Sequence, residues 1–164
     1  MKHKKIFVIL IVLGLMISVI YYSITLNYKS DFPKPDKINI YKDGEIVYTL
    51  TDDKLKFNKI LKLIDLRFEG NNKITIDNED STNYYNQAKG AWECIEFIYD
   101  DEVTLSINNV QYNFKKSFFL IRAEGGNDYS SKMLYGDEKY TNSLNGLSTS
   151  ENILKKIIKV INSY

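Results

Sequence analysis

The chain contains few residue types that could serve nucleophilic or metal-assisted catalysis. It has one histidine, His3, and one cysteine, Cys94. His3 lies in a basic N-terminal tail ahead of a long apolar segment, which separates it from the other polar groups of the chain. Ser–His–Asp triads, Cys–His pairs and histidine-based zinc sites all need a histidine beside the reacting group. We therefore expect a protein that is not an enzyme, with no catalytic residues, no metal ligands and no cofactor.

The carboxylates in the most apolar surroundings are Glu93 and Glu96, which lie in a segment typical of a strand. Paired carboxylates can hydrolyse glycosidic bonds. Side chains three positions apart on a strand point to opposite faces of the sheet, so this pair is not expected to act together. Glu96 shares a face with Trp92, Cys94 and Ile98, and we interpret that face as partly open to solvent. A wall-active hydrolase that uses carboxylates is kept as an alternative.

Two short polar patterns and the cysteine indicate structure rather than chemistry. Ser130-Ser131-Lys132 places a serine beside a lysine in a predicted loop, without the S-x-x-K spacing of a catalytic dyad. The acidic stretch that starts at Asp77 resembles a calcium loop in composition, but it has Thr82 and Ala88 where an EF-hand needs Gly and Glu. Cys94 has apolar neighbours and no second cysteine to pair with, which predicts a buried core residue.

Aromatic residues are the remaining candidates for contact with a partner. Thirteen tyrosines are present, and Tyr84, Tyr85 and Tyr129 fall in predicted loops, while Trp92 begins a predicted strand. Exposed Tyr and Trp side chains are common where proteins bind other proteins or glycans. The alternative is that these four side chains cover the edges of the core.

The N-terminal 28 residues predict a membrane anchor. Lys2, Lys4 and Lys5 precede an uncharged run from Ile6 to Tyr28. Twenty residues of helix reach about 30 Å, the thickness of the hydrocarbon core of a bilayer. The run lacks an A-x-A cleavage pattern, so we predict an uncleaved transmembrane helix at 6–26 after a cytoplasmic tail at 1–5. Secretion after signal cleavage is the alternative.

Charge predicts the orientation of this anchor and limits the partners of the domain that follows it. The N-terminal lysines directly adjoin the apolar run, and large domains translocate largely regardless of their own charge, so we expect the N-terminus inside and the domain outside the cell membrane. After the run the chain carries all 21 acidic residues and all but three of the 22 basic ones. This near-neutral total implies no basic patch of the size needed for a nucleic-acid partner and no lysine cluster large enough to hold anionic lipid. The predicted partners are the membrane and an unknown protein or cell-wall component.

The first elements after the apolar run are the clearest. Pro33 and Pro35 predict a short linker at 27–36. Asp43-Gly44 between two alternating segments predicts a hairpin, with Lys42 opposite Glu45. A helix capped by Thr51 and ending near Phe68 is predicted next, from apolar residues at helical spacing.

The rest of the chain predicts further strands and one more helix. We expect a short strand at 73–76, a polar loop at 77–90, a second hairpin that turns at 100–102, a turn at Asn108-Asn109 and strands within 111–122, 133–135 and 139–144. The last element is a helix with a capping box formed by Ser148 and Glu151. The predicted fold is α+β, with the N-terminal transmembrane helix followed by an extracytoplasmic domain at 37–164. This domain is predicted to be an antiparallel sheet with two amphipathic helices on one face. Its elements follow in the order ββ-α, then four to six strands, then α.

The stretch from Ile38 to Ile64, behind a basic and apolar N-terminus, resembles small uncharacterised membrane-anchored exported proteins of low-GC Gram-positive bacteria. The resemblance implies a hairpin followed by a helix and an exported location, and it implies no activity. Our leading hypothesis is a single-pass membrane protein whose extracytoplasmic domain binds a partner. An accessory subunit of a membrane complex is a further alternative to the hydrolase.

Overall fold

A computed structural model describes residues 10–20, 30–51, 53–69, 74–77 and 81–163. It shows an α+β fold with an antiparallel seven-stranded sheet in the order β2-β1-β4-β5-β6-β7-β3, which confirms the predicted class. The strands are β1 (Lys37–Lys42), β2 (Glu45–Leu50), β3 (Thr75–Asp77), β4 (Trp92–Ile107), β5 (Val110–Ala123), β6 (Met133–Gly136) and β7 (Tyr140–Asn145). The helices are α1, described over residues 10–20, α2 (Lys54–Phe68), α3 (Ser81–Ala91) and α4 (Glu151–Ile161).

The hairpin of β1 and β2 forms as its sequence predicts. Asp43 and Gly44 have φ angles of 50° and 79°, and the type I′ turn needs positive φ at both of these positions. Lys42 pairs with Glu45 across the two strands. The turn type and the alternating residues on either side of it together define this local structure.

Helices α2 and α4 pack on one face of the sheet, as predicted. Both contribute to the main core, where Phe57 and Ile64 of α2 and Leu154 and Ile157 of α4 are almost completely buried. The two helices also contact each other. The apolar stripes read from the sequence are therefore the faces that cover the sheet.

The starts of both helices differ from the prediction by two residues. Asp53 rather than Thr51 caps α2, and its Oδ1 accepts a hydrogen bond of 3.0 Å from the Lys56 amide. Ser150 occupies the N-cap position of α4, and the predicted capping box is wrong because Ser148 Oγ accepts from the Ser150 amide at 3.3 Å instead. Asp, Ser and Thr are all good N-caps, so the sequence does not rank neighbouring candidates.

The predicted polar loop at 77–90 is wrong, because most of it forms helix α3. This helix packs on the face of the sheet opposite to α2 and α4, where Tyr85 and Ala88 contact a second core that includes Cys94 and Phe118. With so few apolar residues, α3 lacks the stripe that reveals an amphipathic helix. In addition to the two helices predicted on one face of the sheet, a third helix therefore lies on the other face.

The predicted hairpin at 100–102 is also wrong. β4 continues through these exposed acidic residues, and an irregularity between Ile98 and Val103 shifts its register against β5. The chain reverses at Asn108-Asn109, whose φ angles of 51° and 65° suit a tight hairpin turn. Asn tolerates the left-handed conformation better than most residues, which explains why the turn forms there.

Part of the predicted anchor at 6–26 lies outside the described residues. Residues 10–20 form α1 and are apolar and exposed. Among the helices of the described part of the chain, none is both long and apolar enough to cross a membrane. The predicted tail at 1–5 also lies outside the described residues.

The described part of the predicted linker, residues 30–36, lies against the domain. Phe32 is 2% exposed and belongs to the main core. Asp65 Oδ1 of α2 accepts hydrogen bonds from Ser30 Oγ at 2.8 Å and from the Phe32 amide at 3.0 Å. These contacts hold residues 30–32 against α2, just before strand β1 begins.

A completely buried arginine ties α2 to strand β5 and to two loop segments. Arg67 donates to the carbonyl oxygens of Leu120 at 3.2 Å, of Ser148 at 3.3 Å and of Ser130. Burial lowers the pKa of Arg67 from 12.5 to about 10, so the side chain stays charged at neutral pH. Its planar fork reaches three separate backbone segments at once.

Replacing Arg67 with lysine should lower the free energy of unfolding by about 2 kcal/mol, because one ammonium group cannot reach all three carbonyl oxygens. Urea denaturation of the Arg67→Lys variant measures the loss. Lys139→Arg, at an exposed position, is the matched control and should remain within about 0.5 kcal/mol of the parent. An Arg67→Lys variant as stable as this control would show that the three contacts do not stabilise the fold.

Candidate functional site

The four predicted contact aromatics do not form one surface. Tyr84 is exposed on α3, and Lys132 Nζ lies 4.4 Å from the centroid of its ring. Tyr85 and Trp92 are half-buried against the second core. Tyr129 packs against the main core, on the other side of the sheet. Three of the four therefore lie on the α3 side of the sheet, and of these three only Tyr84 is exposed.

Glu96 is the centre of a buried polar network under α3. Its Oε2 accepts hydrogen bonds from Asn39 Nδ2 at 2.8 Å and from the Tyr41 hydroxyl at 2.9 Å, and its Oε1 accepts from the Tyr140 hydroxyl at 2.6 Å. Glu96 is 6% exposed, so the expected opening to solvent is wrong for this carboxylate, while Trp92 and Ile98 of the same face are half-buried. Helix α3, through Tyr85, covers the side of the sheet on which this network lies.

Glu93 has a separate set of partners. Its carboxylate receives two hydrogen bonds from the Arg122 guanidinium, at 2.9 Å from Nε and 2.7 Å from Nη2, and Lys42 Nζ lies 4.0 Å away. Glu93 and Glu96 thus do not converge on a shared space, as expected for side chains three apart on a strand. Each carboxylate is held by hydrogen bonds from its own neighbouring side chains.

Cys94 is a completely buried residue of the second core, as predicted. Burial raises the pKa of its thiol, and the nearby carboxylates Glu124, Glu93 and Glu96 raise it further. The thiolate is the reactive form of cysteine, so this side chain is inert at neutral pH. Among the described residues, no three His, Cys, Asp or Glu side chains lie close enough together to hold a metal ion.

A groove between α2 and α4 brings together side chains that the sequence keeps far apart. It measures about 400 Å³ and opens to solvent. Four lysines line it, two from each helix: Lys59, Lys62, Lys156 and Lys159. Its apolar residues are Leu63, Leu66 and Val160. We call this feature the lysine groove.

The near-neutral total charge conceals this concentration of positive charge. Together α2 and α4 contain eight basic and two acidic residues, whereas the rest of the chain from residue 29 contains eleven basic and nineteen acidic ones. The expectation that no lysine cluster is large enough to hold anionic lipid came from that total, which does not reveal the four lysines of the groove. Lysines three residues apart on each helix are visible in the sequence, but only the packing of α2 on α4 brings the two pairs together.

Comparison with protein-family models, with curated proteins and with solved structures found no match to this chain. The lysine groove is therefore interpreted from its own geometry and charge.

Stability should fall as the pH rises above about 10, because buried tyrosines resist ionisation. Burial raises the pKa of five tyrosines above the usual 10.0: Tyr41, Tyr85, Tyr99, Tyr135 and Tyr140. The native state keeps protons that the unfolded chain releases, so the stabilisation is complete below pH 10 and is lost as the pH rises. The lowered pKa of Arg67 makes stability rise with pH in the same range, but it is one group against these five tyrosines.

Tyrosinate absorbance and far-ultraviolet circular dichroism, recorded together during an alkaline titration, test this prediction. We expect the tyrosines with raised pKa values to ionise in the same transition in which helix and sheet are lost. A sample in urea should titrate near pH 10. Titration of all thirteen tyrosines near pH 10 in a protein that keeps its native spectrum would contradict the burial of these side chains.

Proposed function

We propose that the chain is a single-pass membrane protein whose extracytoplasmic domain binds a partner through the lysine groove. The observation that carries the proposal is the groove itself, where four lysines surround apolar side chains on the helical face of the domain. Long-range attraction from such a cluster speeds encounter with an anionic partner. Contact with the apolar residues then favours a bound state over a loose encounter.

The groups that could have served catalysis support this proposal rather than the hydrolase alternative. Glu93 is held by Arg122, Glu96 accepts three hydrogen bonds, and Cys94 is buried as a thiol. An inverting or retaining glycosidase needs two carboxyl groups that flank the same bond. The two carboxylates here face separate partners.

The attachment of the linker gives the binding domain a defined position in this proposal. Phe32 is buried in the main core, and the hydrogen bonds of Asp65 hold residues 30 and 32 against α2. If the apolar segment is an anchor, few residues separate the membrane from this attachment. We therefore expect a domain held close to the bilayer rather than one on a long tether.

Crosslinking in native membranes, followed by purification of the tagged full chain, tests the proposal. We expect the chain in the membrane fraction after an alkaline carbonate wash, together with at least one specific crosslinked partner. Stoichiometric recovery of several membrane proteins would favour the accessory-subunit alternative. A chain that leaves the membrane in the wash, or that recovers nothing beyond an untagged control, would contradict the proposal.

A further inference from the structure

We propose that the lysine groove binds an acidic amphipathic segment of a protein, with its apolar side chains on the groove floor and its Asp or Glu side chains beside the lysines. The inference rests on the proposed function, because it names the kind of partner that the groove takes. Segments that place an apolar face into a groove are a recurring mode of peptide recognition.

The shape of the groove suits a segment of this kind. Each of the two helices supplies a pair of lysines, with Lys59 and Lys62 about one turn apart on α2 and Lys156 and Lys159 about one turn apart on α4. The volume of about 400 Å³ falls within the range of about 300–1,000 Å³ typical of ligand sites. A groove open at the surface between two helices can accept a chain segment laid along it.

The apolar floor distinguishes a peptide from a simple polyanion. Leu66 is half-buried, and Leu63 and Val160 are buried except for 8% and 5% of their surface. A phosphate polymer or lipid headgroup gains nothing from contact with these side chains and loses hydration there. A leucine or phenylalanine from a partner removes further apolar surface from water, which is favourable.

Three of the four groove lysines keep their positive charge unpaired in the described part of the chain. Glu151 of α4 pairs with Lys155, and Asp65 of α2 is buried and accepts hydrogen bonds from residues 30 and 32. In the described part of the chain, Lys59, Lys156 and Lys159 form no ion pair. A partner with carboxylates on both sides of an apolar stripe would complement this pattern.

The test uses the full chain in a non-ionic detergent and a labelled synthetic helical peptide with leucines on one face and glutamates beside them. Fluorescence anisotropy measures its binding. Reversing one lysine on each helix, in Lys59→Glu with Lys156→Glu, should weaken binding by about tenfold or more. Lys115→Glu with Lys139→Glu changes the net charge equally at exposed positions elsewhere and should leave affinity within about twofold.

The contribution of the floor is tested at Leu66. Leu66→Gln should weaken binding of the peptide several-fold, whereas Leu66→Met, which conserves volume, should bind like the parent. Thermal unfolding of each variant verifies that the fold is retained. A second peptide, with its leucines replaced by glutamines at the same charge, should bind at least about tenfold more weakly than the first.

Inorganic polyphosphate and mixed micelles that contain phosphatidylglycerol are the competing probes. Binding of either probe as tightly as the leucine peptide, with no effect of Leu66→Gln, would overturn the inference in favour of a polyanion or a lipid. An equal loss in the control pair Lys115→Glu with Lys139→Glu would also overturn it, since the effect would then be one of net charge. If the parent chain does not bind the leucine peptide but yields a crosslinked membrane partner that the Lys59→Glu, Lys156→Glu variant loses, the proposed function stands and the inference of an acidic amphipathic segment fails.

Discussion

Phe32→Ala should lower the free energy of unfolding by about 3–5 kcal/mol, the range for removal of a buried phenylalanine. The ring of Phe32 has its centroid 5.4 Å from those of Phe68 and Phe119, 5.6 Å from that of Phe97 and 6.2 Å from that of Phe114. Its loss would leave a cavity at the centre of this aromatic cluster. Urea denaturation, followed by circular dichroism, measures the effect.

The neighbouring residue provides a control for this substitution. Asp31 is exposed, so Asp31→Ala should remain within about 0.5 kcal/mol of the parent. A chain that begins at residue 37 should show a loss similar to that of Phe32→Ala or fail to fold. If Phe32→Ala costs no more than Asp31→Ala, the segment before β1 is a free linker and the close attachment proposed above is wrong.

Glu96→Ala is expected to cause the second large loss in the free energy of unfolding, also about 3–5 kcal/mol. The substitution leaves three buried donors without their acceptor. Asn39, Tyr41 and Tyr140 all donate to this one carboxylate. Hydrogen bonds to charged groups are worth about 1.5–3 kcal/mol each, although the tyrosines can regain part of this by turning to other acceptors.

Glu96→Gln should be less harmful, with a loss of about 1–3 kcal/mol, since the amide keeps the shape and one acceptor oxygen. Glu102→Ala, at an exposed position of β4, is the matched control and should have little effect on the unfolding midpoint. Differential scanning calorimetry ranks the three variants. A Glu96→Ala protein as stable as Glu102→Ala would mean that the network does not stabilise the sheet.

The features that the sequence predicted well are those specified by neighbouring residues. The first hairpin depends on Asp43-Gly44 and on the alternation beside it, and both act over a few positions. The apolar stripes of α2 and α4 repeat at helical spacing, so they indicate both the helices and the faces that they bury. The turn at Asn108-Asn109 follows from the conformational tolerance of asparagine.

The missed features depend on contacts between residues distant in the sequence. Helix α3 has no apolar stripe and is held by Tyr85 and Ala88 against a sheet face made of other segments. The partners of Glu96 lie 57, 55 and 44 residues from it, so nothing beside it in the sequence showed that the carboxylate would be buried and satisfied. The acidic residues at 100–102 looked like a turn because exposed strand positions and turns share the same polar composition.

The lysine groove was missed for a related reason. Net charge averages over the whole domain, whereas a binding surface depends on which residues the fold places together. Lys59 and Lys159 are separated by most of the domain sequence, and the packing of α2 on α4 brings them to one groove. The contact aromatics predicted from composition remain candidates, with Tyr84 the most accessible.

Site-specific photo-crosslinking in native membranes tests the central claim most directly. A photoreactive amino acid replaces Lys159 in the lysine groove of one variant and exposed Lys115 of β5 in another, each in the full chain. We predict a discrete protein adduct from position 159 that is absent from position 115 and lost when Lys59→Glu and Lys156→Glu are added. Equal adducts from both positions, or none from position 159, would contradict a binding domain that uses this groove.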